Sequence, residues 1–157
     1  MDITIVFPHQ LFADHPAITA GRPVVLIEDP LFFGTDPRWP MRVHRQRLLL
    51  HRAALKAYAD DLRGRGLTVV HQRHDQAIDT DGHLRLLQAA GYRCFHLADP
   101  VDDILLRRLK GFVQKSDCEL SISTTPLLLT PPHLADEHFS GGRKPLMARF
   151  YEMQRRR

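Results

Sequence analysis

Pro23–Glu28 reads PVVLIE: a proline, four unbroken apolar residues of which three are β-branched, and a lone carboxylate. β-Branched and aliphatic residues favour a pleated strand. A continuous apolar run, unlike an alternating one, suits a strand covered on both faces, which is the setting of a central parallel strand. Asp2–Phe7, DITIVF, repeats the pattern and is stopped by Pro8. Two such strands, separated by the loop-like residues Ala13–Arg22, need a crossover architecture. The rest of the chain is therefore read for alternating helices and strands.

After PVVLIE comes DPLFFGTDPRWP, a loop punctuated by proline and glycine. A helix is expected from about Pro40, suited to a first turn, to Arg65, with Gly66 as a left-handed cap. His44, Leu48, His51, Leu55, Tyr58 and Leu62 recur every three or four residues on one face, and Arg45, Arg52, Lys56 and Arg63 form a solvated face. Strands are expected at Leu67–Gln72, Tyr92–Ala98 and Cys118–Ser123, and a short helix at Thr80–Gly91. Asp99-Pro100 reads as an N-cap and first turn, with Val101, Ile104, Leu105, Leu109 and Phe112 facing inward. Pro126–Lys144 reads as loop with one short helix near His133–Phe139, and Lys144–Arg157 as a helix with Leu146, Phe150 and Met153 on one side. The order β-β-α-β-α-β-α-β gives an α/β fold: an open, five-stranded, mostly parallel sheet of order 3-2-1-4-5 with helices on both faces.

The chain has 157 residues, enough for one domain with a sizeable core. Its net charge is +4, but residues 143–157 hold six basic side chains against Glu152, leaving residues 1–142 at −1. The basicity belongs to the terminal segment, so direct nucleic-acid binding by the domain is disfavoured. No run of roughly 20 apolar residues appears, and no signal peptide, so a cytoplasmic protein without membrane association is expected. Two cysteines, Cys94 and Cys118, are too few for a disulfide framework or a four-thiolate cluster, and Cys94 reads as a small core residue.

Ligands of open α/β sheets bind beyond the carboxyl ends of the strands. That rim carries FPHQLF, EDPLFF and ADP, yet no G-x-G-x-x-G follows the first strand and no G-x-x-x-x-G-K-[ST] occurs, so a conventional NAD or ATP site is not expected. His71 and His74 lie at a strand end with no third ligand in view, and His44 and His51, seven apart, are too distant for a zinc pair. Their expected role is packing with one nitrogen hydrogen-bonded. His9, Gln10 and Glu28, polar residues on the rim, are equally readable as ligand contacts or as local caps. Asp102 and Asp103 suit the first turn of a helix, where the dipole favours them. Phe32, Phe33 and Trp39 make an aromatic loop better suited to covering the sheet than to stacking a ligand.

EDPLFF, PMRVHRQRLLLHRAALKAYADDL, DPVDDILLRRL, LLLTP and MARFYEMQRRR together resemble the N-terminal domain of the deoxyribodipyrimidine photolyase-related proteins, a bacterial iron–sulfur branch of the photolyase/cryptochrome family. The resemblance implies a Rossmann-like antenna domain over residues 1–142 and, in residues 143–157, the basic helical start of a link to a helical FAD-binding domain lying outside these residues. It implies FAD and a 4Fe-4S cluster for the parent protein, damaged DNA as the parent's partner only, and a lumazine as the antenna chromophore of this domain. The implied antenna pocket is formed by Pro8, His9, Gln10, Ile27, Glu28, His44, Leu48 and His51. Where better-known relatives often read Gly-Asp-Gln-Leu, this chain has Pro8-His9-Gln10-Leu11, an imidazole in place of a carboxylate. These residues alone are expected to bind no cofactor firmly and to repair nothing. The alternative is a free-standing α/β module that binds a nucleotide, a flavin or a partner protein.

Overall fold

The computed structural model describes residues 1–75, 78–140 and 146–156. They divide into two compact units, Met1–Thr125 and Pro126–Arg157. The boundary expected between residues 142 and 143 lies outside the described residues.

The first unit is a five-stranded sheet of order 3-2-1-4-5, as the sequence implies. Its strands are β1 (Asp2–Val6), β2 (Val24–Ile27), β3 (Val69–Gln72), β4 (Cys94–Ala98) and β5 (Glu119–Ser123). Each of the four pairings is parallel. Between them run α1 (Pro30–Phe33), α2 (Arg45–Gly64), α3 (Thr80–Ala89) and α4 (Asp103–Val113). The alternation of side chains along a strand sorts the core into two layers. Ile3, Ile5 and Phe7 of the first strand segment join Val25, Ile27, Phe95 and Leu97 beneath Leu84 and Leu87 of α3 and Leu105, Leu109 and Phe112 of α4. Val6, Val24 and Leu26 pack on the opposite face against Leu55, Ala59 and Leu62 of α2. The central strands are buried on both sides, which is why they read as unbroken apolar runs.

Three expected boundaries need correction. The long helix starts at Arg45, not Pro40. His44 is its N-cap and accepts from Gln46 N–H, while Pro40 lies in the preceding loop, where Met41 N–H donates to the Gly34 carbonyl. At its other end Gly66 is left-handed, with φ +83°, as expected. The fourth helix is capped by Asp102, which accepts from Leu105 N–H, and not by Asp99. Asp99 instead accepts from Val101 N–H, and Val101 is exposed with φ 60°, not inward-facing. Finally, Pro30–Phe33, expected as loop, is one helical turn capped by Asp29, with Gly34 left-handed behind it.

A polar clamp fixes the loop after α1. Arg108 of α4 grips both carboxylate oxygens of the fully buried Asp36, with Nη2 2.9 Å from Oδ1. Asp36 also accepts from the backbone N–H groups of Arg38 and Trp39. Charge-assisted bidentate pairs of this kind are among the stronger hydrogen bonds.

The second unit contains α5 (Pro132–Phe139) and α6 (Met147–Arg155). Phe150 of α6 sits 5.3 Å from the ring of Phe139 and 5.5 Å from that of His138. Among the described residues no helix is long and apolar enough to cross a membrane.

Candidate functional site

The chain reverses direction across the sheet between β1 and β4, since β2 and β3 lie to one side and β5 to the other. A ligand crevice is expected at that switch point. Here the chain's own side chains span it. Gln10, fully buried, donates from Nε2 to the Ala98 carbonyl at the end of β4 (2.8 Å) while its Oε1 accepts from Phe7 N–H (3.4 Å). His9 Nε2 lies 2.9 Å from the Pro100 carbonyl, and its ring stacks on Phe32 of α1 at 4.7 Å. Burial lowers the pKa of His9, against the hydrogen bond to Pro100 and the charge of Asp102, so its imidazole is neutral near pH 7. Pro8 and Ile27 are buried.

The aromatic loop continues the cover. Phe33 is buried, 5.1 Å from the ring of His74 and 6.1 Å from that of His51, with the Arg52 guanidinium over its face at 5.6 Å. His51 is half-buried and accepts from Arg47 Nε at 3.3 Å. Burial, then the Arg47 charge, lower its pKa. His44 is exposed at the start of α2, and Leu48 is half-buried one turn on. The expected antenna residues thus comprise a packed layer over β1 and β4, the buried strand end Ile27-Glu28, and the outer turns of α2.

Glu28 is the hub of the β2 end. It is 1% exposed, and three groups converge on it. Its Oε2 accepts from His74 N–H (3.0 Å) and Arg52 Nε (3.3 Å), and its Oε1 lies 3.1 Å from Nε2 of His71. Burial alone would push this carboxyl up. The imidazole of His71, the His74 N–H and the Arg52 charge outweigh that and hold it down to about 2. Glu28 is therefore an anion that ties β2, β3 and α2 together.

Beside Glu28 opens a groove of about 500 Å³ between α2 and the end of β3. Arg52, Lys56 and Arg63 of α2 and Arg73 beyond β3 line it, against the carboxylates of Glu28 and Asp60. Asp60 is already engaged by Lys56 (2.9 Å) and Arg63 (3.2 Å). Four cations against two carboxylates favour an anionic guest. The spacing of Arg52, Lys56 and Arg63 was visible as a polar helix face. What the sequence did not reveal was that this face borders the rim. Of the expected site residues this groove takes in Glu28; His44, Leu48 and His51 lie nearer the start of α2.

Comparison with known proteins supplies the context. The family model described as deoxyribodipyrimidine photo-lyase-related protein matches residues 4–157. The chain belongs to that family. As a photo-lyase-related protein it is also similar to an uncharacterised protein of Acanthamoeba polyphaga mimivirus, 26% identical over 163 aligned residues, covering 96% of this chain and 77% of the relative.

Proposed function

We propose that this photo-lyase-related chain is the α/β half of a photolyase/cryptochrome-type flavoprotein for light-dependent DNA repair or light sensing. The electron-transfer chemistry resides in an FAD-binding helical domain outside these residues. The observation that carries this reading is the family match along nearly the whole chain, joined to an all-parallel 3-2-1-4-5 sheet. In this reading the domain serves as a scaffold. Damaged DNA is a partner of the whole flavoprotein, and a 4Fe-4S cluster would need thiolates beyond the two cysteines here.

The residues expected around an antenna chromophore do not fit one between β1 and β4. Gln10 and His9 bridge that crevice, and the His9 ring lies against Phe32. The chain by itself accordingly holds neither lumazine nor flavin firmly. The test is purification with excess FAD and, separately, with a ribityl-lumazine, followed by absorbance after desalting and a blue-light repair assay on dimer-containing DNA. Flavin retained at one per chain, or repair by this chain alone, would overturn the reading.

The mimiviral relative favours a second reading. Since this chain covers most of that relative's length, the α/β unit can serve in a protein without a large additional domain. A free-standing module would bind a small anionic ligand in the groove beside Glu28. Mononucleotide binding that is lost in Arg52→Ala, with no affinity for FAD, would select this alternative.

A further inference from the structure

The sheet face above β4 carries a side-chain set that the photolyase-related reading does not use. Cys94 and His96 are two residues apart on β4, so their side chains point to the same side, opposite the core residues Phe95 and Leu97. Parallel pairing brings Asp2 of β1 beside Cys94, and Thr4 beside His96. The three side chains meet. Cys94 Sγ is 3.3 Å from His96 Nε2, and His96 Nε2 is 3.3 Å from Asp2 Oδ2, with all three donor atoms within 4.8 Å of one another. Across the other edge of β4, Glu119 of β5 pairs with Cys94 and adds a second carboxylate to the same row.

We propose that Asp2, Cys94 and His96 form a binding site for a divalent transition-metal ion, with Zn²⁺ the best match. The donor set is one sulfur, one imidazole nitrogen and one carboxylate oxygen, which suits zinc and excludes the hard cations Mg²⁺ and Ca²⁺. Tetrahedral zinc, with bonds of about 2.0–2.3 Å, places its donors roughly 3.3–3.6 Å apart, the separation of the two measured contacts. A proton serves the cluster poorly. Nε2 can carry only one, yet it faces both a thiol sulfur and a carboxylate oxygen. A metal ion bonds all three at once, with the thiol proton released to solvent. The scaffold is rigid, because β4 is hydrogen-bonded to β1 on one side and β5 on the other. Access is provided by Asp2, whose side chain is 56% exposed. Three protein ligands leave the fourth position to water or a small ligand.

The test uses the whole chain, stripped with chelator and titrated with Co²⁺. Thiolate coordination to Co²⁺ gives a near-ultraviolet charge-transfer band that the other nine histidines cannot produce. The expected result is one such Co²⁺ per chain, displaced by Zn²⁺. The band should vanish in Cys94→Ser, persist in Cys118→Ser, and need at least about tenfold more metal in His96→Gln or Asp2→Asn. Circular dichroism checks that each variant folds, and Cys94→Ser replaces a single atom. No charge-transfer band, or a band that survives Cys94→Ser, would overturn the proposal.

Discussion

Glu28→Gln removes one charge while preserving side-chain shape at the point where β2, β3 and α2 meet. In the fold Glu28 is 1% exposed and its carboxyl is held down to about 2, against an ordinary value near 4.5. A carboxyl held that far down corresponds to roughly 3 kcal/mol of preference for the ionised form. The folded pKa is depressed, so this stability is fully present above the unfolded value near 4.5. It drains away as pH falls towards 2. Glutamine can still accept from His74 N–H, but leaves Arg52 and His71 without their anion. The expected loss at pH 7 is therefore about 2–3 kcal/mol. Urea unfolding followed by circular dichroism, at neutral pH and again near pH 3, measures the gap between wild type and variant. It should be large at neutral pH and shrink by at least half in acid, with m unchanged. A gap that is the same at both pH values would refute the electrostatic account, and would mean that packing, not charge, fixes this corner.

Arg108→Met strands the buried carboxylate of Asp36 and should cost about 3–5 kcal/mol in the same assay. The Asp36 carboxyl is held down chiefly by Arg108, so that penalty too should fade as pH drops through the carboxylate range. Gly34→Ala forces a side chain onto a residue with φ +78° and sets its Cβ 2.2 Å from the Met41 carbonyl oxygen. The expected cost is about 2 kcal/mol or more, read as a lowered Tm. Tyr58→Phe removes the hydroxyl that donates to the Phe12 carbonyl at 2.8 Å and should lower stability by about 1 kcal/mol, as measured by the urea midpoint.

The sheet was legible because its centre is wrapped on both faces. Val24–Ile27 and Ile3–Phe7 have no solvent side on which a polar residue could signal alternation. Parallel order then followed from the helices between strands. Helix starts were harder because two signals competed at each. Asp99-Pro100 and Asp102-Asp103 both offer a cap, and the backbone turn over Pro100 takes the first. Asp29-Pro30 with Gly34 behind it carried the same cap-and-stop signature, hidden inside what read as a loop. Of the site, the rim residues His9, Gln10 and Glu28 were visible by position, but their partners were not. Ala98 and Pro100 lie some ninety residues away, and only folding brings them within 3 Å. Cys94 read as core because its neighbours are apolar. Its partner His96, two residues on and facing the same side, was hidden in the same strand.

Val101 has one consequence for how the rim behaves. A β-branched residue at φ 60° does not choose that conformation by itself, and sits about 1–2 kcal/mol above its relaxed state. The bend after β4 is thus a sprung latch, kept shut from outside by Asp99 on Val101 N–H and His9 on the Pro100 carbonyl. Take away the histidine, and one of the two ties that offset this strain is gone.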